Sequence, residues 1–185
     1  TLLVDSKPIP DIDLVVFDKD GTLIELYHYW SQMVFLRAQL ICEALRIDPD
    51  RIAVMGSSAG GGLAAAVALM ARDRGGPALC FQFLGFPELD DRLGTPSMRT
   101  FVDTPLWRRP SAEWSWRYYL GDDGPPEGGI RDDVSPYAAP ARAADLAGLP
   151  PAYVSAQEFD PLRDEALTYA MRLLEAGVSV ELHHF

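Results

Sequence analysis

The chain predicts an α/β architecture with a mostly parallel sheet. Short apolar runs recur along it, at Leu14–Phe17, Arg51–Met55, Ala78–Phe86, Ala152–Gln157 and Val178–Phe185. Between them lie stretches with helical spacing, and Gly, Pro and Asp clusters separate the two kinds of segment. Alternating strands and helices of this kind build a sheet covered by helices.

Residues 1–13 form a lead-in containing Pro and Asp, and Leu14–Phe17 has the unbroken apolar character of a fully covered parallel strand. Met33, Leu36, Leu40, Ile41 and Leu45 mark one amphipathic helix over Tyr27–Leu45, broken by Asp48-Pro49-Asp50. A strand at Arg51–Met55 then leads into an Ala-rich helix, Ala59–Arg74, closed by Gly75-Gly76-Pro77. After the strand Ala78–Phe86, the stretch from Pro87 to Pro151 is too long for a simple connection. It is the kind of segment that shapes a pocket, and it holds one helix near Ser111–Leu120. A strand at Ala152–Gln157, a helix at Leu162–Glu175 ended by Gly177, and a strand at Val178–Phe185 complete the order.

With 185 residues, 48% hydrophobic and 23% charged, the chain suits one folded core. Its net charge of −11 sets it against nucleic acid as a partner, because phosphates would be repelled. Cys42 and Cys80 lie in apolar surroundings and read as buried free thiols. No run approaches the roughly 18 apolar residues of a membrane span, so no membrane association is expected. With no basic-plus-apolar leader at its start, the chain reads as cytoplasmic, although it begins at Thr1 and not at Met. Nothing in it sets an oligomeric state.

The first candidate site is Gly56-Ser57-Ser58-Ala59-Gly60, a Gly-x-Ser-x-Gly turn between a strand and a helix. Small residues at Gly56 and Gly60 let the strand turn sharply, so that the Ser58 hydroxyl stands clear of the sheet. The backbone N–H of Ala59 then faces the point where a carbonyl oxygen would gain charge. A tight helix entry or a phosphate cradle is the competing use of Gly60-Gly61-Gly62. However, Gly56 to Gly61 does not fit Gly-x-Gly-x-x-Gly, and no P-loop Lys follows.

Together with Leu149-Pro150-Pro151-Ala152-Tyr153 and Asp160-Pro161-Leu162-Arg163-Asp164-Glu165, this turn resembles the hormone-sensitive-lipase-like carboxylesterases of the α/β-hydrolase superfamily, over about 48–185. The likeness implies an incomplete α/β-hydrolase fold and hydrolysis of small-molecule carboxylic esters through an acyl-serine, without a cofactor. It implies Ser58 as nucleophile, Asp160 as the acid that orients a histidine, and Ala59 N–H in the oxyanion site. On residue type alone, Asp160 reads as a cap for the helix that follows. The family's histidine lies in a loop beyond the last strand, which the chain does not reach, and no His-Gly-Gly-Gly oxyanion loop precedes Ser58. His183 and His184 are adjacent strand residues on opposite faces and are poor candidates for the base. Impaired hydrolysis is therefore expected of this chain.

The second candidate site is Asp18-Lys19-Asp20-Gly21-Thr22-Leu23, after Leu14–Phe17. It resembles the first motif of haloacid-dehalogenase-like phosphohydrolases, over about 11–47. The resemblance implies Asp18 as nucleophile and Mg²⁺ ligand, and Asp20 as acid/base and metal ligand through its carbonyl. A plain strand-ending turn is the alternative use of these residues. The later motifs of that family are missing, and Gly121-Asp122-Asp123 follows a helix where an acidic pair would follow a strand. The chain thus divides into a phosphohydrolase-like strand and helix, 1–47, and the C-terminal part of an α/β-hydrolase domain, 48–185. A non-catalytic fused α/β domain is the third possibility. If the two parts cooperate, Leu14–Phe17 joins the hydrolase sheet, with the Tyr27–Leu45 helix as its crossover. His28 and Trp30 read as ordinary helix positions, while Trp107, Trp114, Trp116, Tyr118 and Tyr119 read as packing residues, some able to wall an acyl pocket.

Overall fold

The computed structural model describes residues 52–121 and 132–185 in full, together with the backbone of strands β1 (Leu2–Val4), β2 (Lys7–Ile9) and β3 (Leu14–Phe17). The remaining elements are β4 (Ile52–Ser57), α1 (Ala59–Asp73), β5 (Leu79–Gly85), α2 (Pro96–Thr100), α3 (Arg109–Tyr119), a 3₁₀ turn (Pro140–Arg142), β6 (Ala152–Ala156), α4 (Arg163–Glu175) and β7 (Val180–His184). The Tyr27–Leu45 helix, Cys42, His28, Trp30, Asp18 and Asp20 lie outside the described residues.

β3 to β7 form one parallel sheet in sequential order, β3-β4-β5-β6-β7. β3 joins at the edge, with Leu14 opposite Ile52 and Phe17 opposite Met55, as expected if it extends the hydrolase sheet. Strands that advance in one direction through right-handed crossovers carry their helices on one face. The core agrees. Val54, Leu84 and Val154 from three strands pack with Ala65 and Leu69 of α1 and with Ala166, Tyr169 and Leu173 of α4. All five residues of β6 are buried, as suits a strand with neighbours on both sides. Leu84 and Leu173 are fully buried, and truncating either to Ala removes roughly 2–5 kcal/mol.

α1 is small-residue-rich because it lies close against the sheet. Gly60 through Met70 is buried except at Leu63. Gly75 ends the helix at φ +62°, with the Gly76 N–H reaching back to Ala71 O. α4 ends the same way at Gly177, φ +80°, where Val178 N–H donates to Leu173 O.

The lead-in contains more structure than its composition suggests. β1 and β2 pair antiparallel, Leu2 opposite Ile9 and Val4 opposite Lys7. Three-residue strands, one carrying Pro8, give no readable alternation. The segment after β5 holds α2 as well as α3. α2 starts at Pro96 and is capped by the Thr95 hydroxyl, which accepts from Met98 N–H at 3.3 Å. Met98 packs with Ala112 and Leu162. Trp116 is buried against Val134 and Ala138, and Tyr119 meets it edge-on at 5.8 Å. Trp107 is half-buried beside Met98. Trp114 and Tyr118 instead stack on each other at the surface. Cys80 is half-buried. Among the described residues no helix is long and apolar enough to cross a membrane.

Candidate active site

β4 ends at Ser57 and α1 begins at Ala59, which leaves Ser58 alone in the turn with φ 57° and ψ −125°. That conformation belongs to glycine space, so a serine held there is held by its surroundings. Three main-chain hydrogen bonds do this. Ser58 N–H donates to Gly85 O at 2.8 Å, and Ser58 O accepts from Gly62 N–H at 3.2 Å and from Glu88 N–H at 3.0 Å. The hydroxyl makes no capping bond to its own helix and is partly exposed. The N–H of Ala59 is one of the helix-start donors that have no intrahelical acceptor.

The glycines here serve close approach. A Cβ on Gly56 would lie 2.1 Å from Gly60 O, and one on Gly62 would lie 2.1 Å from Glu88 O. One on Gly85 would meet Ser57 Oγ at 2.6 Å. The loop after β5 is thus pressed against the elbow from one side and tied to β6 on the other, where Phe86 N–H reaches both the carbonyl (2.9 Å) and the hydroxyl (3.1 Å) of Ser155. Phe86 has φ 34°, a second non-glycine residue in the left-handed region at a strand end.

Asp160 lies beyond β6, in the turn before α4. Its Oδ1 accepts from Leu162 N–H at 2.8 Å and its carbonyl accepts from Arg163 N–H at 3.0 Å. It therefore does shape the helix entry, although the helix itself begins at Arg163. Burial raises its carboxyl above the usual range, against the Leu162 N–H. Sites in open α/β sheets gather at strand carboxyl ends, and Ser58 and Asp160 share that end of the sheet.

Two further carboxylates, Glu88 and Glu165, are buried and carry no signal of their own in the sequence. Glu88 is 5% exposed. Burial pushes its carboxyl up to about 7, opposed by a 3.1 Å hydrogen bond from Ser115 Oγ and helped by the charge of Asp160. Glu165 accepts from Leu89 N–H (2.6 Å) and Asp90 N–H (3.2 Å), and burial lifts its carboxyl well above the normal range. Glu165 belongs to the quoted Asp160–Glu165 motif. Glu88 stands out only as an acidic residue beside Pro87 in an apolar stretch. The acid arm is further clipped to α2, where Ser97 Oγ donates to Pro161 O at 2.8 Å and Ser97 N–H donates to Asp164 Oδ2 at 2.7 Å.

His183 and His184 lie elsewhere. β7 is separated from β4 by β5 and β6, which puts it about 14 Å away at the usual strand spacing. His183 is within 2.8 Å of Glu181 Oε1 and stacks between Tyr153 and Phe185, while His184 is exposed. Among the described residues no His, Cys, Asp and Glu group of three or more could hold a metal ion.

A parallel sheet with a strand–serine–helix elbow and an acidic turn two strands away defines a class. The chain belongs to the α/β-hydrolase fold family, whose model matches residues 25–185. Among solved structures, it is similar to a bacterial heroin esterase, with 62% identity and a TM-score of 0.75, covering 82% of this chain and 47% of that one. It is 43% identical to the carboxylesterase NlhH of Mycobacterium tuberculosis over 136 residues, 73% of this chain and 41% of the relative. It is 37% identical to an arylesterase of Saccharolobus solfataricus over 139 residues, 72% of this chain and 42% of the relative. The chain spans less than half the length of each of these. The names agree with the carboxylesterase likeness read from the sequence.

Proposed function

We propose that this chain carries part of a carboxylic ester hydrolase site, with Ser58 as nucleophile, Asp160 as the orienting acid and Ala59 N–H as an oxyanion donor. What supports this reading is the Ser58 turn: an uncapped, partly exposed hydroxyl in a glycine-like backbone conformation at the start of a helix. In the reaction, Ser58 Oγ attacks the ester carbonyl while an imidazole takes its proton. The tetrahedral oxyanion is met by Ala59 N–H, the alcohol leaves with the proton, and water later releases the acid from Ser58. The step needs no cofactor and takes a small-molecule ester as substrate. The base is the weak point, because His183 and His184 lie about three strand spacings from Ser58. We therefore assign the 185-residue chain a low intrinsic rate.

The experiment is hydrolysis of p-nitrophenyl butyrate with and without added imidazole, paired with peptide mass spectrometry for butyrylated Ser58. The expected result is slow turnover, raised by imidazole above the buffer background, with both the increment and the adduct lost in Ser58→Ala. Fast turnover that Ser58→Ala abolishes would keep the nucleophile and overturn the low rate. Turnover that survives Ser58→Ala would overturn the assignment. Mg²⁺-dependent turnover of p-nitrophenyl phosphate, lost in Asp18→Asn, would move the chemistry to the N-terminal motif.

A further inference from the structure

One helix reaches both the serine turn and the acid turn. α3 is held by two buried residues: Ala112, packed with Met98 and Leu162, and Trp116, packed against Val134 and Ala138. Leu162 belongs to the acid turn, where its N–H donates to Asp160 Oδ1 at 2.8 Å. On the same helix, Ser115 donates its hydroxyl to Glu88 Oε2 at 3.1 Å. Glu88 in turn donates its main-chain N–H to Ser58 O at 3.0 Å, and its carbonyl oxygen lies where only a glycine at position 62 leaves room. The contacts thus run from Ser58 through Glu88 and Ser115 to α3, and from α3 through Leu162 to Asp160.

The Glu88 carboxyl is the sensitive member of this series. Oε1 is buried without a hydrogen-bond partner, so the Ser115 hydroxyl on Oε2 is what ties the side chain to α3. Among the described residues its charged neighbours are also carboxyls: Asp160 acts on Glu88, and Glu88 acts on Glu165. A carboxylate placed there meets like charge and lacks solvent, whereas the neutral acid fits at little cost. Burial has pushed this group up to about 7, within the range where ester hydrolysis is assayed.

We propose that Glu88 and Ser115 are positioning residues for ester hydrolysis: they fix the Ser58 turn relative to Asp160, acting through the Ser58 main chain and not on the ester itself. This rests on the ester-hydrolase reading and adds to it the helix that ties nucleophile and acid together.

The test is imidazole-assisted hydrolysis of p-nitrophenyl butyrate by the 185-residue chain, well below its melting temperature, in Ser115→Ala and Glu88→Gln. Rates are expressed per Ser58 that becomes butyrylated, which removes unfolded protein from the comparison, and circular dichroism checks the fold. Ser115→Ala is expected to lower kcat about fivefold, as for one lost hydrogen bond, with KM little changed. In Glu88→Gln the amide oxygen still accepts from Ser115, but the group no longer ionises. Its rate relative to the wild type is expected to rise at least about threefold between about pH 6 and about pH 8.5, as only the wild type gains the buried charge. A ratio that stays flat across pH, or an unchanged kcat in Ser115→Ala, would overturn the proposal and leave Ser58 as nucleophile. Absence of a Ser58 adduct in the wild type would overturn it together with the esterase reading.

Discussion

The main-chain N–H of Glu88 donates to the carbonyl oxygen of Ser58 at 3.0 Å, so the loop after β5 holds the serine turn in place. The contact is possible only because residue 62 has no side chain. A Cβ there would sit 2.1 Å from the Glu88 carbonyl oxygen.

Gly62→Ala should therefore be among the most damaging single-methyl additions in the chain. Backbone oxygen cannot swing aside as a side chain can, and overpacking of this sort costs about 1–3 kcal/mol or more. Gly75→Ala is the control, since nothing lies within 4 Å of its Cβ and only its φ of +62° is strained. That change should cost about 1 kcal/mol. Urea denaturation of the two variants checks the ordering, and equal midpoints would refute it.

Stability should fall as pH rises through neutrality. Burial lifts the Glu88 carboxyl from the usual 4.5 to about 7. The folded state binds this proton more tightly than the unfolded chain does. The stabilisation is then complete below pH 4.5 and is lost as pH rises through about 7, a swing of roughly 3 kcal/mol. Glu165 and Asp160 shift in the same direction. On the acid side the sign reverses. Arg72 holds Asp73 below its usual range; at Asp164, Arg163 and Ser97 outweigh the opposing effect of burial. Their stabilisation is present above the ordinary carboxylate range and fades as pH falls through their lowered values. Thermal melts across pH should show a decline on the alkaline side that Glu88→Gln flattens. An unchanged alkaline limb in Glu88→Gln would count against the assignment.

Asp160 should show its structural role separately from its charge. In Asp160→Asn the side-chain oxygen can still accept from Leu162 N–H, so the melting midpoint should hardly move. Asp160→Ala loses that bond and should cost about 1 kcal/mol. Imidazole-assisted hydrolysis should also fall in the Asn variant, because the negative charge that steadies an imidazolium is gone. Equal stability of the Asn and Ala variants would show that the turn does not depend on this bond.

His183→Ala and His184→Ala should leave Ser58-dependent hydrolysis unchanged. His183→Ala gives up ring contacts with Tyr153 and Phe185, for a loss of up to about 1 kcal/mol. A rate loss in either variant without a matching change in melting would bring a β7 histidine back as the base.

The succession of strands and helices and the serine turn were legible because both rest on local rules. β4 and β6 are short apolar runs with abrupt ends, and Gly56-Ser57-Ser58-Ala59-Gly60 has one compact way to join a strand to a helix. Their predicted bounds missed by a residue or two, as at β4, which runs to Ser57 and not Met55. Glu88 and Glu165 were not legible as partners. Their importance comes from burial and from partners far away in sequence, the Ser115 hydroxyl for Glu88 and the Leu89 N–H for Glu165. The β1–β2 pair and α2 are too short for periodicity to register.

Ser58 has a further consequence for how such a protein can be improved. Its backbone angles, φ 57° and ψ −125°, carry a conformational cost of about 1–3 kcal/mol that glycine would avoid. A screen for heat resistance alone would thus tend to reward Ser58→Gly, the change that removes the hydroxyl. Robustness and chemistry select opposite residues at this position, so directed evolution of this chain has to assay both together.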